Sequence, residues 1–234
     1  MAFMTKIDFY SLAVANKLVL TDTTENKTAQ TATAAGEDGF VVATEVFGET
    51  SAPTENLTLI ADLSEKTVKL GHVTTVGTNP NQKAYVLGGI VIETAAGSAV
   101  TITGNGQEVP VGSTDGCTVT YTIPNLSHLH HAQDFGAFTL SGTGAHLTQC
   151  RLSASGTINT ATKDGSIITF DFTAARVEVS GTVQVSDSGY AAPTITPASG
   201  YKLTGPLTCT NPDADFPTYT FTLVKELAAD VAGA

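Results

Sequence analysis

The chain has 234 residues, among them 39 threonines and 22 glycines but no tryptophan; 14% are charged and the net charge is −11. Abundant β-branched Thr, punctuated by Gly and set against few Lys, Arg, Glu and Met, favours pleated sheet and excludes a helix bundle or coiled coil. Hydrophobic residues make up 41%, enough for a core, so disorder over most of the chain is excluded too.

Short runs of alternating apolar and polar residues predict strands at 17–22, 39–47, 56–61, 68–73, 85–93, 100–103 and 118–123. They continue at 137–141, 146–155, 166–172, 176–185, 194–195, 201–203 and 218–224. Turns are expected at Glu37-Asp38-Gly39, Gly104-Asn105-Gly106, Lys163-Asp164-Gly165 and Asp187-Ser188-Gly189, whose residues tolerate positive φ. Leu126 to Asp134 is a candidate short helix, and Glu226 to Ala234 reads as a fraying C-terminal tail. The expected fold is all-β, an antiparallel sandwich or barrel.

A faint internal repeat divides the chain. TATAAGEDGFVVATEVF (31–47) resembles TATKDGSIITFDF (160–172), and YVLGGIVIETAAGSAVTIT (85–103) resembles VEVSGTVQVSDSGYAAPTIT (177–196). Leu12 to Leu20 likewise matches Leu140 to Thr148. A duplication predicts two tandem β-domains of similar strand order, 1–126 and 127–234, the first with an extra excursion near 48–83 and the second with a short flexible tail. Thr- and Gly-rich strands also align with one another through composition alone.

Only Arg151 and Arg176 are arginines, and no cluster of bases exists to displace counterions from phosphates, which disfavours specific nucleic-acid binding. Lys6, Asp8, Asn16 and Lys17 interrupt any secretory apolar run at the start, and no segment reaches the roughly 18 apolar residues that span a bilayer. The expectation is a chain made and kept in a cytoplasm, without a membrane partner. Cys117, Cys150 and Cys209 are widely spaced without a CxxC pair and read as buried free thiols.

Imidazole is concentrated at His128, His130 and His131, where His128 with His131, or His130 with Asp134, could share one helix face toward a zinc or nickel ion; no further ligand spacing completes a site, so polar packing is the preferred reading. The acid pairs Glu37-Asp38 and Asp213/Asp215 fall in expected turns, where Asp bonds its own backbone. No GxSxG or phosphate-loop pattern occurs, so no catalytic residue, cofactor or enzyme activity is expected. Abundant strand surface without chemistry points instead to assembly through sheet edges.

LTQCRLSASGTINTATKDGSIITFDFTAARVEVSGTVQV (147–185) followed by FPTYTFTLVKEL (216–227) resembles the β-domain of tailed-bacteriophage virion proteins of the tail-tube class. The likeness lies in a strand, an acidic Gly turn, a second strand leading into RVEVSGTVQV, and a closing aromatic strand. It is strongest over residues 147–227. The resemblance implies a virion protein, assembled in the host cytoplasm, whose partners are its own copies in trimeric or hexameric rings and other virion proteins. Stacked rings would enclose an acidic lumen through which DNA passes without specific binding, and the 48–83 excursion would reach the adjacent ring. Two barrels per chain would give a trimeric ring of pseudo-sixfold symmetry. Capsid-decoration proteins share these features. A carbohydrate-binding or adhesin module is the alternative of another class, weakened by the missing Trp and export signal, and a metal enzyme would have to use the His cluster.

Overall fold

The computed structural model describes residues 17–230 except 38, 164, 165, 187, 188, 190, 213 and 214. The chain is all-β, and no helix occurs among the described residues. Its strands are β1 (Leu18–Ala35), β2 (Val41–Leu59), β3 (Lys66–Leu70), β4 (Val73–Val76), β5 (Lys83–Ala95), β6 (Thr101–Val109) and β7 (Val119–Ile123). There follow β8 (Phe138–Ser141), β9 (Ala145–Lys163), β10 (Ser166–Val185), β11 (Thr194–Pro197), β12 (Lys202–Leu203), β13 (Thr208–Cys209) and β14 (Thr218–Glu226).

Ten of these form one antiparallel sheet ordered β1-β2-β6-β5-β9-β10-β14-β12, with β4 added to β5 and β13 to β14. Strict alternation explains which face is buried: Ser51, Pro53, Glu55, Leu57 and Leu59 of β2 point inward while their neighbours are half-exposed. The pairs β3–β7 and β8–β11 form two small sheets whose side chains join the same core cluster. The Phe138 ring of β8 meets Phe221 of β14 edge-on, with centroids 4.8 Å apart. Beyond β3, Gly71 N–H donates to Leu87 O of β5 at 2.8 Å.

Within the large sheet, β1-β2-β6-β5 and β9-β10-β14-β12 follow one path. Each begins with a long hairpin, whose second arm pairs with the last sheet strand of that half, which in turn pairs with an earlier strand, β5 in the first half and β12 in the second. The Thr-Ala-Thr triplets at 31–33 and 160–162 both lie near the far ends of their first arms. The other aligned stretch does not match: 85–95 belongs to β5, whereas 177–185 is the second half of β10, the counterpart of β2. Leu12 to Asn16 of the third alignment lie outside the described residues. The expected boundary at 126/127 falls between β7 and β8, yet the sheet crosses it through β5–β9 and one core cluster includes residues from both sides.

Several expected loops are strand or strap. Residues 48–59 of the expected excursion are the inner half of β2, and the rest includes β3 and β4. Gly104-Asn105-Gly106 lies inside β6, where ladders to β2 and β5 on either side override its turn chemistry. Leu126 to Asp134 is irregular, because Leu126 bridges Leu63 and the Gln133 side chain bonds both Ser127 N–H and Ser127 O. Leu227 to Asp230, expected to fray, is pinned: Leu227 N–H donates to Ala175 O, and Asp230 N–H to Thr118 O at 2.7 Å.

Candidate assembly edges and polar sheet face

One rank of apolar side chains crosses the whole sheet. Leu20 stands opposite Leu57, then Ile102, Ile92, Leu152, Val179, Leu223 and finally Leu203. The six inner members are fully buried, whereas Leu20 and Leu203, at the two ends, are half-buried. Register explains the continuity, since a slip of one residue would turn this rank onto the opposite face.

On that opposite face the adjacent rank starts at Val19 and is polar from there on: Thr58, Thr101, Glu93, Arg151, Ser180 and Thr222. Both arginines of the chain lie on this face, each beside a glutamate. Arg151 Nε is 3.2 Å from Glu93 Oε1, and the Arg176 guanidinium is 3.7 Å from Glu178. A cavity of about 610 Å³ opens there, lined in part by Glu93, Gln149, Arg151, Ser180, Thr182 and Thr220. Hydroxyls dominate and the guanidiniums are already paired, so the face offers phosphates little grip.

The seam between the halves is the β5–β9 ladder, running from Gly89↔Ser155 to Ala95↔Gln149. Gly89 makes the approach possible, since a Cβ there would lie 2.8 Å from Ser155 Cβ and 3.1 Å from Ala154 O. Beyond Gly89, β4 takes over the edge of β5. The β9–β10 hairpin leaves the ladder at that point and reaches over the first half, where Ile158 and Phe170 pack on Ala84, Val86 and Val109. A register shift between Thr173 and Arg176, with Ala174 at φ 52°, marks the bulge in this arm. Phe172 is buried against Gly156, where any Cβ would intrude on the ring.

The sheet ends differ in length. β1 presents 18 residues, and no described residue pairs with its outer side. At the other end, β12 and β13 contribute two residues each. Such an unpaired ladder is a template for a further strand.

The histidine cluster is exposed and structurally tied. His128 Nδ1 lies 2.6 Å from Asp62 Oδ1, and the His128 N–H donates to the same oxygen at 2.8 Å. These bonds hold Asp62 below the usual carboxylate range. His130 O accepts from Gly97 N–H, and His131 N–H donates to Leu129 O. Among the described residues no three His, Cys, Asp or Glu groups converge on a metal position. Asp38 and Asp213 of the acid pairs lie outside the described residues. Of the thiols expected to be buried, Cys150 is, while Cys117 and Cys209 are half-exposed. Burial pushes the Cys150 thiol up to about 12.

Sequence patterning identified the strands of the seam, but neither rank nor edge could be read without register. No protein-family model matches the chain, and no curated protein matches it in sequence.

Proposed function

We propose that the chain is a non-enzymatic bacteriophage virion protein, a tail-tube subunit that joins its copies head to tail into stacked rings around passing DNA. The observation that carries this reading is the rank from Leu20 to Leu203, which begins and ends on half-buried leucines at opposite sheet edges. A second copy placing its β1 beside β12 would extend that rank, as β9 extends it beside β5 within the chain. Such a contact is heterologous and closes into a ring when its rotation allows. Two halves of one path per chain favour three chains and a pseudo-sixfold ring.

The polar face would then line the lumen. Asp22, Glu93, Glu178 and Glu226 share that face with Arg151, Arg176 and Lys202, so the wall is rich in hydroxyls with a slight acid excess and lets DNA slide. Sedimentation velocity over a concentration series tests the reading: a discrete oligomer, then larger stacks, is expected, and a lone 24.1 kDa species at every concentration would overturn it.

A further inference from the structure

We propose that neighbouring copies join in one register, with Leu20 of β1 directly opposite Leu203 of the next copy's β12, and with Asp22 paired to Lys202 on the polar face. This rests on the assembly reading above and specifies its interface. The path from β1 to β12 has eight strands, antiparallel at every step. An even number of alternating strands leaves the two edges running in opposite directions. A copy placed with its β1 beside β12 therefore meets it antiparallel, with both core faces on one side.

The backbone agrees with this register. Ile60 N–H donates to Lys17 O at 2.8 Å, so by alternation Val19 turns its polar groups to β2 and Leu20 turns its own outward. At the other edge Thr204 N–H donates to Thr222 O at 3.0 Å, which leaves the polar groups of Leu203 outward as well. Leu20 and Leu203 then exchange both bonds of a hydrogen-bonded pair while their side chains prolong the buried rank. Within the single chain, no described residue pairs with the outer side of β1 or β12.

Charge selects the same register. β1 carries a bulge at Thr21, past which Asp22 stands one step from Leu20, opposite Asn56. Counted in the same way, Asp22 falls opposite Lys202, in the non-hydrogen-bonded kind of pair where side chains come closest. Both side chains are exposed, and neither has an ion-pair partner among the described residues. Opposite charges directly across a ladder stabilise it, and like charges destabilise it. The neighbouring registers that keep both faces would set Lys202 against Val19 or Thr24 instead. The internal seam has the same construction, since Glu93 and Arg151 pair beside the Ile92–Leu152 step of the rank. Counting on, Thr24 reaches Gly200 as Ser155 reaches Gly89 in that seam. The edge ends there, because Gly200 has φ 85° and Tyr201 N–H closes a turn onto Ala198 O.

The test compares the assembly of full-length charge variants by sedimentation. Asp22→Lys and Lys202→Asp should each raise the concentration needed for assembly about tenfold. The double variant Asp22→Lys/Lys202→Asp should return it close to the wild-type value, because the two positions lie at opposite edges of one chain and meet only between copies. A single variant that merely misfolded would not be rescued in this way. Carbodiimide coupling of mixed isotope-labelled and unlabelled wild type should also yield interchain links between Asp22 and Lys202. If the wild type assembles but the double variant does no better than the single ones, the register is wrong. Single variants that assemble at the wild-type concentration, or interchain links from Lys202 to other acids alone, would likewise overturn it. A wild type that stays monomeric throughout would instead overturn the assembly reading itself.

Discussion

Arg151 and Glu93 face each other across the β5–β9 seam, with Nε 3.2 Å from Oε1, on the face turned away from the core. Both side chains are about half exposed, so the pair contributes little to stability. Arg151→Ala is expected to cost about 0.5 kcal/mol in chemical denaturation, and less in high salt. Replacing Gly89 on the same seam is expected to cost far more. In Gly89→Val the new Cβ meets Ser155 and the Ala154 carbonyl, with a loss of about 2–3 kcal/mol. Equal effects of the two substitutions would mean that ion pairing, not backbone approach, holds the halves together.

Phe172 and Gly156 form a matched pair. Gly156→Ala drives a methyl into the buried ring and is expected to destabilise by about 3 kcal/mol. Shortening the ring in Gly156→Ala/Phe172→Leu should recover part of that loss, whereas strictly additive losses in thermal denaturation would show that the two positions do not compete for space.

Acid should loosen the C-terminal strap. Burial raises the Asp230 carboxyl, but hydrogen bonds from Thr120 and Thr118 outweigh it and hold the group below its usual 3.8. Asp62, bonded by His128, and Asp115, bonded by the Val73 N–H and His72, are lowered too. A carboxylate lowered by folding contributes stability that is complete above its unfolded value and lost as pH falls through the folded one. Denaturation midpoints should therefore hold down to about pH 4 and decline below it. Asp230→Asn should flatten part of that decline; an unchanged slope would show that the strap is not coupled to folding.

The three thiols should differ in reactivity. Cys150 is buried and its pKa is raised to about 12, so it stays protonated and shielded. Iodoacetamide at pH 8 is expected to label Cys117 and Cys209 in the folded chain, and Cys150 only after denaturation. Labelling of Cys150 at a rate similar to the others would indicate that the core at β9 opens locally.

Strand content and antiparallel order were legible wherever apolar residues alternate, as in 85–93 and 176–185. The extension of β1 through Thr23 to Ala35 was not, because TTENKTAQTATAA lacks an apolar period and its extended form comes from the ladder to β2. Residues 48–55 were expected between two strands, yet all lie within β2; Pro53 stands just beyond Thr54, where pairing with β6 ends, so its missing N–H costs that ladder nothing. The histidines were visible as a cluster, but their partners Asp62 and Gly97 lie far away in sequence. The edges were foreseen only as sticky strands. Their matching leucines depend on seven ladders in register, which no local pattern encodes.

Negative-stain electron microscopy of the purified chain at rising concentration reaches the proposal of head-to-tail sheet continuation most directly. Closed rings of three chains with a sixfold outline, stacking into tubes at higher concentration, are expected. Fields of single particles of monomer size at the highest concentration would contradict it.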